Sequence, residues 1–303
     1  MAVKNAPKKA SINVKVGTAK KSSAKSAREL SDALRAQQAE KDKRNRLIFG
    51  GIIAAVAIAV VVVIIVIVVT NPKSEANLKQ AIKDSGNVPS LFNEDGSFTV
   101  SKNGGGKDKA ISGAVNLEIF NDFICPSCGG FERAYGATLE ELVETGKVNI
   151  IFHPLAWFDR TSPLEDGTSD KYSSRVAAAA IYIAQNVPDK YMAFVKSMYS
   201  ATNQPCEGIK GTNTTQCTRP ERGYDKTVGS DEKIKEHIVE AGISKQVAEA
   251  AVSGKYASYI KAVSDYINVQ GRITGTPAIF INNKKYDLTG SPAQFKEEVL
   301  AAK

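Results

Sequence analysis

The sequence predicts an α/β domain preceded by a single transmembrane helix. Three observations support this fold class. An apolar run of 23 residues lies at 47–69, a strand–helix–strand pattern lies at 114–152, and a helical insertion at about 160–255 comes before a final hairpin.

Residues 1–46 carry the excess positive charge of the chain. They hold 13 Lys and Arg against 4 Asp and Glu, a net charge of +9, whereas the rest of the chain has a net charge of −1. Few large apolar side chains lie here, so we expect a mostly disordered tail. Because the basic charge is confined to a tail and is not spread over a folded surface, the composition argues against nucleic-acid binding.

The apolar run at 47–69 contains no charged residue. A helix of this length crosses the roughly 30 Å hydrocarbon core of a bilayer, and it is longer than the apolar region of a cleaved signal peptide. Four Lys or Arg lie in the six positions before it, and only two lie in the ten positions after it. The positive-inside rule therefore predicts a cytoplasmic tail, lipid contact through 47–69 and an extracytoplasmic domain.

The remaining elements follow in order. Residues 70–95 have the composition of a polar linker, and the folded domain is predicted to span 96–303, beginning with a short edge strand. The apolar run at 114–120 predicts a buried central strand, and a helix and a second strand follow it, which indicates a parallel crossover. After the helical insertion, residues 278–288 predict a hairpin and residues 292–301 an amphipathic closing helix.

The stretch FNDFICPSCGGF places two cysteines between the central strand and its helix. A helix N-terminus stabilises a thiolate, so Cys125 is predicted to be the attacking thiol. Cys128 lies one turn further on and is predicted to resolve a mixed disulfide formed at Cys125. Pro126 is compatible with the first helical position, where no backbone N–H is needed.

Three readings of this motif remain open on spacing alone. Cys125 and Cys128 suit a redox centre, half of a zinc site, or two inert buried thiols. The other cysteines, Cys206 and Cys217, lie in a polar segment that favours a structural disulfide, because an extracytoplasmic location is oxidising. A second redox pair or a four-cysteine zinc site is the alternative for them. The strand-to-helix position of the first pair favours the redox reading.

A proline near the C-terminus supports that reading. Thr276 and Pro277 come directly before the apolar strand at 278–281. A trans proline is unfavourable at this place, whereas a cis proline forms a fixed, tight turn. A simple strand-breaking turn is the alternative.

FNDFICPSC followed about 150 residues later by GTPAIFIN resembles the DsbA-like thiol-disulfide oxidoreductases, especially the membrane-anchored forms of Gram-positive bacteria. The resemblance covers roughly 96–303. It implies a thioredoxin-like fold interrupted by a helical domain, with Cys125 as the attacking cysteine, Cys128 as its partner, and Pro277 as a cis proline with Thr276 before it. It also implies oxidation of cysteines in exported proteins and re-oxidation by a quinone-linked membrane protein of the DsbB or VKOR kind.

The chain departs from the family at two positions. Ser127, beside Pro126 in the active-site motif, stands where relatives often have His. Ile119 stands where they often have an acid, and Glu118 is one position away, which on a strand means the opposite face. His153 is interpreted as a strand-end residue and not as a catalytic base.

The direction of electron flow stays open in the sequence. An oxidase is the first hypothesis, and a reductase serving a pathway such as cytochrome maturation is an alternative. A membrane-tethered protein that binds a soft metal through its thiols is a rival of another class. The proposed thiol chemistry needs no cofactor or metal. No dimerisation domain is evident in the sequence, so we expect a monomer.

Overall fold

The computed structural model describes residues 75–159, 169–205 and 224–302, with a few isolated residues between 32 and 62. The chain divides into two compact units, 1–70 and 71–303. Almost all of the predicted tail and almost all of the predicted membrane span lie outside the described residues. Within the described part, no helix combines the length and apolarity needed to cross a membrane.

The second unit alternates strands and helices, with short 3₁₀ turns at Lys107–Lys109 and Pro188–Lys190. Its elements are α1 (Glu75–Lys83), β1 (Phe98–Ser101), β2 (Gly104–Gly105), β3 (Val115–Asn121), α2 (Pro126–Glu144), β4 (Val148–Pro154), α3 (Tyr172–Asn186), α4 (Tyr191–Met198), α5 (Asp231–Glu240), α6 (Lys245–Ala251), α7 (Ala257–Gln270), β5 (Ala278–Ile281), β6 (Lys284–Tyr286) and α8 (Pro292–Ala301).

One sheet organises the unit, with strand order β2-β1-β4-β3-β5-β6. β3 and β4 are parallel, and the other neighbouring pairs are antiparallel. The parallel pair is joined through α2, as the sequence predicts. Helices α3 to α7 come between β4 and β5, so the expected α/β fold with a helical insertion is confirmed.

β3 lies inside the sheet, between β4 and β5, and its apolar side chains are buried. Leu117 and Phe120 have no exposed surface, and Leu139 and Leu142 of α2 are equally buried. Leu117 is paired with Ile150 of β4 on one side and with Ile281 of β5 on the other. The carboxyl end of β3 is therefore held in place between β4 and β5.

The segment 75–95, predicted as a linker, is part of the folded unit. Leu78 and Ile82 of α1 are buried, and α1 packs against α7. Phe92 is also buried, with its ring centroid 5.2 Å from that of Phe98. The linker prediction was wrong for this segment, because Leu78 and Ile82 lie one turn apart and give a largely polar helix one apolar face, which is buried.

The C-terminal elements follow the predictions closely. Asn282 and Asn283 both have positive φ, 47° and 66°, as a two-residue hairpin turn requires. The closing helix α8 begins with a capping box, in which Ser291 and Gln294 bond reciprocally. β1 differs from its prediction as an edge strand, because β2 pairs with its outer side.

Candidate active site

The two cysteines of the CPSC motif lie at the start of α2. Cys125 is the N-cap, Pro126 occupies the first turn, and Cys128 follows inside the helix. Both cysteines carry free thiols, and the two residues are only 2% and 1% exposed. Ser127 is exposed between them. The predicted strand-to-helix position of the motif is confirmed.

The peptide bond between Thr276 and Pro277 is cis, as the sequence suggests. It lies directly before β5, and Ala278 of β5 pairs with Phe120 near the end of β3. This pairing brings Thr276 to the motif, although it is 151 positions further along the chain. The Cys125 thiol donates a hydrogen bond to the Thr276 carbonyl oxygen at 3.3 Å.

The two thiols differ in acidity. The pKa of Cys125 is lowered to about 7, chiefly by a hydrogen bond from the Cys128 side chain, although burial acts in the opposite direction; the Cys128 backbone lowers this pKa further. Burial raises the pKa of Cys128 well above its ordinary value. Cys125 is thus the member of the pair that is thiolate near neutral pH, which makes it the nucleophile and the group open to attack.

Asp122 is a feature of the site that sequence reasoning missed. It is completely buried at the end of β3 and accepts four hydrogen bonds. The donors are Ile124 N at 3.0 Å, Ser173 Oγ at 2.6 Å, Trp157 N at 2.7 Å and Phe158 N at 2.8 Å. Asp122 therefore ties the turn before Cys125 to the segment after β4 and to the start of α3.

The environment of Asp122 disfavours its charge. Burial raises its pKa to about 6, although the four hydrogen bonds act in the opposite direction. Its negative charge in turn acts to raise the pKa of Cys125. Within residues 119–131 it is the one acidic or basic side chain other than the cysteines, and that isolation next to the motif was the available signal.

Glu118 is engaged elsewhere. Arg272 donates two hydrogen bonds to its carboxylate, at 2.6 and 2.8 Å, and His153 Nε2 lies 3.4 Å from Oε2. Burial acts to raise the pKa of Glu118, but the neighbouring His153 and Arg272 side chains outweigh it and lower the pKa to about 2. The ion pair joins β3 to the segment that carries Thr276, four residues after Arg272.

The second cysteine pair cannot be placed, because Cys206 and Cys217 lie outside the described residues. The described residues at either end of that segment are joined, since Asp225 N donates to the Pro205 carbonyl oxygen at 2.9 Å. In the described ranges, no group of three His, Cys, Asp or Glu side chains is arranged to hold a metal ion.

Comparison with known proteins agrees with this geometry. The family model described as "Thioredoxin" matches residues 106–300. A serine/threonine-protein kinase, PknE of Mycobacterium tuberculosis, is 31% identical over 101 residues, which are 33% of this chain and 17% of the kinase. The chain thus spans about a sixth of the length of the curated relatives it matches.

Several solved structures share the fold. The MdbA protein of Actinomyces oris, a thiol-disulfide oxidoreductase, superposes with a TM-score of 0.52 at 20% identity, covering 70% of this chain and 88% of that one. The reduced disulfide bond oxidoreductase DsbG of Mycobacterium tuberculosis has a TM-score of 0.50 at 23% identity, covering 67% and 86%. At these identities the likeness concerns the fold.

Proposed function

We propose that this chain, which belongs to the thioredoxin family, is a DsbA-like thiol-disulfide oxidoreductase that introduces disulfide bonds into exported proteins. The observation that carries this proposal is the asymmetry of the pair. Cys125 lies at a helix N-terminus with a lowered pKa and faces the Thr276 carbonyl, whereas Cys128 is buried with a raised pKa.

The reaction begins with the Cys125–Cys128 disulfide. A substrate thiolate attacks Sγ of Cys125, the bond between the two Sγ atoms breaks, and Cys128 leaves as a thiolate that takes up a proton. A second substrate thiolate then attacks the substrate sulfur of this mixed disulfide. Cys125 leaves as a thiolate, which its lowered pKa favours. Two electrons pass from the substrate to the cysteine pair, and the substrate gains one disulfide.

The setting of this reaction is also part of the proposal. Residues 47–69 anchor the protein in the cell membrane, with the basic tail in the cytoplasm and the catalytic domain outside. The support is the length of the apolar run and the charge difference across it. A quinone-linked membrane protein of the DsbB or VKOR kind re-oxidises the pair, and Cys206 and Cys217 form a structural disulfide.

One observation favours a reductase as the second candidate. The pKa of Cys125, about 7, matches the thiol of thioredoxin and lies well above the value of about 3.5 in DsbA. A less stabilised thiolate favours the dithiol less strongly, so the disulfide is a weaker oxidant. The same site then delivers electrons to oxidised extracytoplasmic proteins.

Redox equilibration with glutathione separates the two candidates. The full chain, purified in detergent, is incubated at defined ratios of reduced to oxidised glutathione, quenched with acid and alkylated. Mass analysis of the peptide that carries Cys125 and Cys128 gives the oxidised fraction separately from the other cysteine pair. A reduction potential near −120 mV, about that of DsbA, supports the oxidase, and one near −270 mV, about that of thioredoxin, overturns it in favour of the reductase.

A further inference from the structure

Gln204 packs against the turn that carries Cys125, although it comes from the helical stretch between β4 and β5. Its side chain is buried, with 2% of the residue exposed. Nε2 donates to the carbonyl oxygens of Phe123 at 3.1 Å and of Cys125 at 3.2 Å. One amide group therefore joins the two carbonyls on either side of Ile124.

The Cys125 carbonyl is also the acceptor that starts α2. Cys128 N donates to it at 3.1 Å and Gly129 N at 3.2 Å. Gln204 adds a donor from outside the helix to the same oxygen. The direction of this carbonyl fixes the peptide plane between Cys125 and Pro126, and with it the start of the helix whose N-terminus stabilises the thiolate.

Gly129 makes room for this contact. A Cβ atom added at Gly129 would lie 1.9 Å from Oε1 of Gln204. Oε1 has no hydrogen-bond partner among the described residues. Turning the amide over would place Oε1 against two carbonyl oxygens, so the hydrogen bonds through Nε2 determine its orientation.

We propose that Gln204 is a positioning residue for the redox site. Its two hydrogen bonds hold the Cys125 turn against the first turn of α2. The role rests on the proposed thiol chemistry of Cys125, but not on the direction of electron flow. Sequence reasoning had no signal for it, because Gln204 lies 79 positions after Cys125 in a polar stretch.

The test replaces Gln204 with Met, which keeps the length of the side chain and removes its donor. Gln185→Met is the matched control, since Gln185 also makes two hydrogen bonds, to Ser90 Oγ at 2.9 Å and from Leu91 N at 3.0 Å. In the full chain, the rate of Cys125 alkylation is followed against pH by mass analysis. The equilibrium constant with glutathione is measured in parallel.

Gln204→Met is expected to move the alkylation midpoint of Cys125 upward by about half a pH unit or more, and to change the equilibrium constant about threefold or more in favour of the disulfide. Gln185→Met should leave both unchanged. The inference is overturned if Gln204→Met lowers the melting temperature as Gln185→Met does while the Cys125 midpoint and the equilibrium constant stay at wild-type values.

If Gln204→Met does not fold, a second pair of variants tests the same positioning role. Gly129→Ala is compared in the wild-type chain and in Gln204→Ala. A fixed Gln204 predicts a shifted Cys125 midpoint in the wild-type background and a smaller shift in Gln204→Ala, where the added methyl group still meets Arg133 Nη1 at 2.7 Å, the end of a flexible side chain, but no longer meets Gln204. Equal shifts in both backgrounds contradict the positioning role. Because the readout is thiol acidity, either reduction potential found for the pair leaves this test intact.

Discussion

Replacing Asp122 with Asn should flatten the dependence of the protein's stability on pH. The folded protein holds a proton on Asp122 more tightly than the unfolded chain does, because burial raises the pKa to about 6 from its ordinary value of 3.8. The unfolded chain releases that proton at lower pH, so the free energy of unfolding falls as the pH rises from about 4 to about 6 and then levels off.

The size of this effect follows from the two pKa values. Each pH unit between them corresponds to about 1.36 kcal/mol, so the charge on Asp122 costs about 3 kcal/mol of stability above pH 6. Roughly 2 kcal/mol of this loss falls between pH 4.5 and pH 7. Glu132 contributes in the same direction, since burial raises its pKa to about 7, and the wild-type loss should exceed the share of Asp122.

The assay is urea unfolding of the reduced full chain at pH 4.5 and pH 7. Asp122→Asn should lose about 2 kcal/mol less than the wild type over this interval. Comparing the two pH values within each variant removes the constant cost of placing an amide among four N–H and O–H donors. Asp108→Asn, at an exposed position, is the control and should lose as much as the wild type. An equal loss in Asp122→Asn would refute the reasoning.

Three further predictions follow from the site. Cys128→Ala should remove the hydrogen bond that does most to lower the pKa of Cys125, so the alkylation midpoint of Cys125 should rise; an unchanged midpoint would show that other groups set it. Glu118→Gln should lower the free energy of urea unfolding by about 2 to 3 kcal/mol at pH 7, with the difference from wild type disappearing as the pH falls from about 4.5 to 2, because the folded pKa is depressed; a difference that persists at pH 2 would contradict this. Replacing both Cys206 and Cys217 with Ala should cost about 3 kcal/mol of stability without abolishing thiol exchange at Cys125, and loss of exchange in a folded variant would assign that pair a redox role.

The local pattern of the chain was enough to predict the centre of the sheet and the position of the motif. The apolar density at 114–120 identified β3, and the helical spacing after Cys128 identified α2. The Pro277 turn was predictable because a proline before an apolar strand has few allowed conformations.

What sequence reasoning missed depends on contacts between distant segments. The apolar face of α1 shows its role only when α7 covers it. Asp122 and Gln204 are single polar residues, and their hydrogen-bond partners lie in distant segments of the chain. Glu118 forms its ion pair with Arg272, which lies 154 positions further along the chain, so no local pattern predicts this contact.

The site is completed late in synthesis. Cys125 leaves the ribosome 151 residues before Thr276, whose carbonyl oxygen accepts its hydrogen bond, and 79 residues before Gln204. When Cys125 leaves the ribosome, the chain therefore still lacks Thr276 and Gln204, which contact the cysteine turn in the folded protein. The hydrogen bond to Thr276 forms only when β5 pairs with β3, so a chain that ends before β5 carries the cysteines without the finished site.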